Sequence, residues 1–270
     1  MSHGPTYAPN GILNIRKSML EDYGFCPHRF DKVWNQGVTR VPNQVMLMGT
    51  RFHDFADIFF EYALVVDSAK WLEFIPKEFI PEEVAMATWF VQAEQARYKT
   101  LSEQDRLDEF LPILREFKLN SYKLYLEGTV DRVDWIDKKK NQAVVIEYKT
   151  GRSINHESLT KQLAMYALMY HDMRLQGDIV GLRLINPRLG VIKDYKLERW
   201  HTDKVLKDIV KLRDAIRDKK FPAKCTDVKF AFCRMCTPEE SGIKDGFDDA
   251  PMNNDVNPER MNFRFSDVYK

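Results

Sequence analysis

The spacing of apolar and polar positions changes period along this chain. From about residue 15 to about residue 100 the apolar residues recur at helical intervals. A first helix spans about 15–35, broken near Gly24 and Pro27. A strongly apolar second helix spans about 45–64. Pro76 and Pro81 punctuate a loop, since proline fixes φ and lacks an N–H, and a helix rich in aromatics and Gln follows at about 82–100. Residues 102–111 are charged and read as a short helix or linker. Between about 113 and 149 the period shortens to two, which predicts strands over 113–119, 122–136 and 143–149. Helical spacing returns at about 157–174, where Leu159, Leu163, Tyr166 and Tyr170 form one stripe. Residues 179–186 read as a strand ended by Pro187, 190–198 alternate as another strand, and 202–218 form an amphipathic helix.

Three strands, a helix and two further strands, preceded by helices, predict an α/β core with a helix on its sheet. The chain divides into a disordered lead over 1–12, a helical cap over 13–112, a core over 113–220, a cysteine-bearing segment over 221–240 and a polar tail over 241–270.

Charge sits on two of these strands where the pattern asks for burial. The stretch Gly128-Thr-Val-Asp131 leads, through the polar turn of residues 137–142, to Val144-Val-Ile-Glu147-Tyr-Lys149. Alternation puts Glu147 and Lys149 on one face with Val145, and turns Ile146 and Tyr148 to the other. An antiparallel hairpin would bring Asp131 opposite Glu147. Two adjacent carboxylates repel unless a cation lies between them, and Mg²⁺ or Mn²⁺ prefers oxygen ligands. Taken singly, each residue suits a solvated strand edge. As a set, two carboxylates and an ammonium suit metal-dependent hydrolysis of a phosphodiester. On the next helix Gln162 and Tyr166 lie at i and i+4, and the amide beside the apolar stripe needs a partner.

The run GTVDRVDW…VVIEYKTG…QLAMY resembles the PD-(D/E)xK nuclease superfamily, and its RecB-like branch in particular. The motifs G-x-x-D, (D/E)-x-K and Q-x-x-x-Y occur in that order. The resemblance covers roughly residues 15–240. It implies a restriction-endonuclease-like core, a central mixed sheet flanked by helices, with an N-terminal helical cap and a C-terminal cysteine cluster lobe. It also implies an upstream histidine ligand, which Gly49-Thr-Arg-Phe-His53 supplies. On this reading His53, Asp131, Glu147 and the Tyr148 carbonyl hold Mn²⁺ or Mg²⁺. Asp131, Glu147, Lys149, Gln162 and Tyr166 carry the cleavage of DNA, most simply as an exonuclease on single strands or free ends. CRISPR adaptation, recombination and repair, in a cell or a virus, suit such a chain equally. The alternative is a weak or inactive nuclease-fold module that binds DNA and assembles with an integrase or helicase subunit.

The four cysteines are Cys26, Cys225, Cys233 and Cys236, one distant residue and then C-x₇-C-x₂-C. Four thiolates satisfy one tetrahedral zinc or one [4Fe–4S] cluster. Tyr23-Gly-Phe-Cys26-Pro-His-Arg-Phe resembles the first cluster cysteine of the iron–sulfur RecB-like nucleases, which include the AddB nuclease domain and the CRISPR-associated adaptation nucleases of the fourth Cas family. That favours the cluster over zinc. The chain departs from that pattern in placing Cys225 before the C-x-x-C pair and no cysteine after it; His28 stands near enough to Cys26 to substitute, but four cysteines make it unnecessary.

An apolar content of 44% and a charged content of 30% are those of a globular domain. The net charge of +1 excludes a globally basic nucleic-acid binder but leaves room for a local basic rim. Arg132, Lys161, Arg152 and the 137–140 turn are candidates for that rim. No long apolar run or signal peptide is evident, so the expectation is a cytoplasmic protein without a membrane segment, in a compartment that disfavours disulfides. There is no phosphate-binding Gly-rich loop, and any helicase activity would come from another chain.

Overall fold

A computed structural model of the protein describes residues 5–38 and 44–223. Its helices are α1 (Lys17–Phe25), α2 (Pro27–Phe30), α3 (Gln44–Ala63), α4 (Pro81–Glu103), α5 (His156–Asp172) and α6 (Arg199–Asp218). Its strands are β1 (Leu114–Ser121), β2 (Leu126–Asp137), β3 (Gln142–Tyr148), β4 (Asp178–Asn186) and β5 (Val191–Lys196). The strands form one sheet in the order β1-β2-β3-β4-β5. Only the β3–β4 pair is parallel, bridged by α5; the other pairs are antiparallel. The sheet is therefore mixed, as expected.

Both faces of the sheet are covered. Val133 and Val145 face one layer with Leu159, Leu163, Met165 and Tyr166 of α5 and Val205, Ile209 and Leu212 of α6. Val144, Ile146 and Tyr148 face the other, which holds Phe52, Phe55, Phe59 and Phe60 of α3 and Met86, Phe90 and Val91 of α4. A strand buried on both sides reads as an unbroken apolar run, which is why residues 143–146 carry no polar alternation.

The hairpin between β2 and β3 closes through Lys138–Lys140, where the Asp137 side chain accepts from the Lys140 N–H and Asn141 takes φ 58°. Asn tolerates that left-handed conformation better than most residues. The expected first helix is interrupted where proline predicts: Cys26 is extended between α1 and α2, and the chain runs on into a π-turn over Asp31–Asn35.

Residues 5–12, expected as part of a disordered lead, instead close a turn. Tyr7 bridges Leu13, the Ala8 N–H donates to Ile12 O at 2.8 Å, and Ile15 bridges Leu126 at the start of β2. Backbone pairing fixes what composition alone suggested was loose. Residues 224–270, with Cys225, Cys233, Cys236 and the polar tail, lie outside the described residues. Among the described residues no helix is long and apolar enough to cross a membrane.

Candidate active site

The β2–β3 register pairs Arg132 with Ile146 and Val133 with Val145. Asp131 therefore stands opposite Glu147, as the hairpin reading requires. The β1–β2 register pairs Arg115 with Arg132 and Phe117 with Val130, so Glu116 stands opposite Asp131 on the other side. Three carboxyl-bearing positions thus form one row across three strands.

Asp131 is buried, and its Oδ2 accepts from the Tyr148 N–H at 2.7 Å. Glu147 is 2% exposed. Its Oε1 takes the Lys149 ammonium and accepts from Gln162 Nε2 at 2.5 Å, while its Oε2 is buried with no hydrogen-bond partner. A buried carboxylate oxygen without a donor is costly, and a cation is the ligand that relieves it. Lys149 extends β3, its N–H donating to Ile185 O at 3.0 Å, and its Nζ lies 3.4 Å from Gln162 Oε1. Gln162 also donates to the Tyr166 hydroxyl at 3.1 Å. The amide that the sequence left without a partner links helix to strand.

Two elements bring these groups together. Helix α5 is capped by Asn155, whose side chain accepts from the Ser158 N–H at 3.1 Å. It can lie close to β2 because Gly128 has no Cβ. Helix α3 approaches from the other layer, and at Gly49 an added Cβ would lie 3.1 Å from Thr150 Oγ1, just past the end of β3. That approach delivers His53, which packs edge-on against Tyr148 with ring centroids 5.7 Å apart. His53 Nδ1 lies 3.6 Å from Asp131 Oδ1 and 3.2 Å from Glu116 Oε1. One ligand atom from each of His53, Glu116 and Asp131 lies within 4.8 Å of the others.

The electrostatics are those of a crowded anionic site. Burial, then repulsion from Glu147, pushes the Asp131 carboxyl up to about 8, against the pull of His53 and the Tyr148 N–H. Burial works against a charged His53, yet Asp131, Glu116 and Glu147 together raise its pKa to about 9. Burial likewise opposes the Lys149 charge, and Glu147 more than compensates, so its pKa is raised. Lys149 is thus held as a cation.

All of the expected core residues, Asp131, Glu147, Tyr148, Lys149, Gln162, Tyr166 and His53, converge here. Three of the four expected rim elements, Arg132, Lys161 and the 137–140 turn, do not. Arg132 is 1% exposed on the opposite face, where it binds Asp134 (Nε–Oδ1 2.6 Å) and Glu94 (Nη1–Oε1 2.6 Å) over the Phe60 ring. Strand alternation turns it away from its neighbour Asp131. Lys161 is engaged by Asp208 at 2.9 Å. The 137–140 turn lies at the far end of the hairpin, about 20 Å along the strand from Glu147. Glu116 is the site residue that sequence reasoning missed. The short turn between β1 and β2 sets Ser121 opposite Leu126, and counting back from that pair would have found it. Of the cysteines only Cys26 is described, and it is buried.

The protein-family model of the PD-(D/E)XK nuclease superfamily matches residues 17–240. Among solved structures the chain is similar to one named "Putative exonuclease", from Eubacterium rectale. The TM-score is 0.46 and the identity 12%, over 82% of this chain and 87% of that one. No curated protein matches. The five-stranded mixed sheet between helical layers is the restriction-endonuclease-like fold of that superfamily.

Proposed function

We propose that this chain, which belongs to the PD-(D/E)XK nuclease superfamily, is a RecB-like deoxyribonuclease that hydrolyses DNA phosphodiesters with Mn²⁺ or Mg²⁺, acting at ends as an exonuclease. The observation that carries this reading is Glu147: one oxygen is engaged by Lys149 and Gln162, the other is buried without a donor, and Asp131 stands across the strand. His53, Asp131, Glu147 and the Tyr148 carbonyl would hold the cation, and the imidazole in that donor set suits Mn²⁺. When bound, a divalent cation lowers the pKa of a water and neutralises charge on the phosphoryl oxygens.

The chain's own residues do the rest. Lys149, kept charged by Glu147, orients the attacking water and stabilises the negative charge that grows on the phosphorus oxygens. Its raised pKa makes it a fixed cation rather than a proton acceptor. Gln162 braces both Lys149 and Glu147, and Tyr166 braces Gln162. The Tyr148 N–H fixes Asp131, so the end of β3 supplies the backbone that orients the β2 carboxylate.

The test is digestion of end-labelled single- and double-stranded DNA with Mn²⁺ or Mg²⁺, wild type beside Lys149→Ala. Metal-dependent cleavage that vanishes in the variant supports the nuclease, and the ladder gives polarity. DNA binding without cleavage by either protein would shift the assignment to an assembly module that works with an integrase or helicase subunit.

A [4Fe–4S] cluster on Cys26, Cys225, Cys233 and Cys236, with zinc as the alternative metal, belongs to the same proposal as a structural clamp. Two observations support it. Cys26 is buried at the extended break between α1 and α2. Phe221, four residues before Cys225, stacks on Phe30 of α2 at 5.5 Å, so the chain returns to the helix that follows Cys26. Iron, sulfide and zinc analysis of protein purified without oxygen decides between them.

A further inference from the structure

We propose that Glu116 is an additional ligand of this cation site, on its open side. The inference rests on the reading of the site given above. Three geometric facts point to it. One ligand atom from each of Glu116, Asp131 and His53 lies within 4.8 Å of the others, a spacing one ion can bridge, and His53 Nδ1 is 3.2 Å from Glu116 Oε1 and 3.6 Å from Asp131 Oδ1. Asp131 Oδ2 is committed to the Tyr148 N–H, so Oδ1 is the oxygen turned toward His53 and Glu116. Across the row the buried Oε2 of Glu147 has no donor.

The row also has a direction. The side chains are 3% exposed at Glu147, 9% at Asp131 and 32% at Glu116. Glu116 therefore stands at the mouth, where a cation enters and where a phosphate would next arrive. Its backbone has φ 39°, a left-handed conformation in the middle of a paired strand. Asn or Gly would adopt that conformation more easily. A glutamate there contributes a carboxylate at the expense of backbone comfort.

The experiment is calorimetric titration of Mn²⁺ and Mg²⁺, without DNA, into the wild type, Glu116→Gln, Glu116→Asn and Asp131→Asn. The Gln variant keeps the shape and the Asn variant keeps the backbone conformation, so the pair guards against a folding artefact. If Glu116 is a ligand, both variants bind Mn²⁺ at least about tenfold more weakly, the loss that removing even an outer partner of a metal site produces. Wild-type affinity in both, with binding lost in Asp131→Asn, would remove Glu116 from the ligand set and leave the site reading intact. Binding by Asp131→Asn equal to wild type, or none by the wild type, would overturn the site reading and Glu116 with it.

Discussion

A Cβ on Gly128 would lie 2.9 Å from Tyr166 Cε1 and 3.4 Å from the end of Met169. The glycine of the first motif and the tyrosine of the last are one packing contact between β2 and α5. From Tyr166 the contact continues through Gln162 to Glu147 and Lys149. Gly128→Ala should therefore displace the Tyr166 ring, lower stability by about 1–3 kcal/mol as overpacking does, and reduce kcat more than DNA affinity. Thermal melts beside steady-state cleavage would show it. An alanine variant with unchanged melting and unchanged kcat would mean that α5 adjusts without cost.

Lys149→Ala and Asp131→Ala should each lower cleavage by at least about a hundredfold, the scale of losing one charged stabiliser, while the protein remains folded. Asp131→Ala removes a carboxylate held unfavourably by burial and by Glu147, so its melting temperature should match or exceed that of the wild type. Circular dichroism and melting curves alongside the cleavage assay distinguish lost chemistry from lost fold. Full activity in either variant would refute the assignment of the site.

Proton linkage gives a pH signature. Asp131 and His53 have raised pKa values, to about 8 and about 9, so the folded site binds protons more tightly than the unfolded chain. Their contribution to stability is present at acid pH. The Asp131 part is lost as pH rises from about 4 toward 8, and the His53 part between about 6.5 and 9. A cation that takes their place must expel those protons. Metal affinity should rise with pH across the same range, by roughly tenfold per unit for each proton released. Titration in buffers of different ionisation enthalpy counts the protons directly, and pH-independent affinity would contradict the linkage.

Glu94 has the opposite sign. Burial would raise its pKa, but Arg132 and then Arg97 pull it down to about 2. Its stabilising contribution is present above the ordinary glutamate range and disappears as pH falls from about 4.5 toward 2. Arg132→Met would leave Glu94 and Asp134 buried with Arg97 as their remaining cation, at a cost of about 3–5 kcal/mol. The salt dependence of DNA binding should not change, because Arg132 does not face the cleft. A shallower salt slope in this variant would restore Arg132 to the DNA-binding surface.

What the sequence revealed was local. Alternation and turn residues were enough to place the 137–142 turn, β3 and the body of β2, whose start at Leu126 lies four residues past the expected one because residues 122–125 form the β1–β2 turn. They also placed Asp131 opposite Glu147, and helical spacing put Gln162 and Tyr166 on one face of α5. Other features depended on partners distant in sequence. Arg132 reads as a surface charge until α4 brings Glu94, 38 residues upstream, over that face of the sheet. Glu116 reads as an ordinary strand residue until the β1–β2 register is fixed. The turn over residues 5–12 is closed by local pairing, but the bridge of Ile15 to Leu126 that follows it lies in no short window of sequence.

Neighbouring residues on β2 serve opposite faces: Asp131 joins the carboxylate row, and Arg132 closes the ion network beneath α4. A slip of one residue in the β2–β3 pairing would exchange them. A guanidinium would then stand opposite Glu147, and a carboxylate would be driven among the rings of Phe60 and Phe90. No partly shifted hairpin can keep either arrangement. Turnover per molecule therefore counts the fraction of chains whose hairpin has zipped correctly, and a cleavage assay on refolded protein doubles as a register gauge.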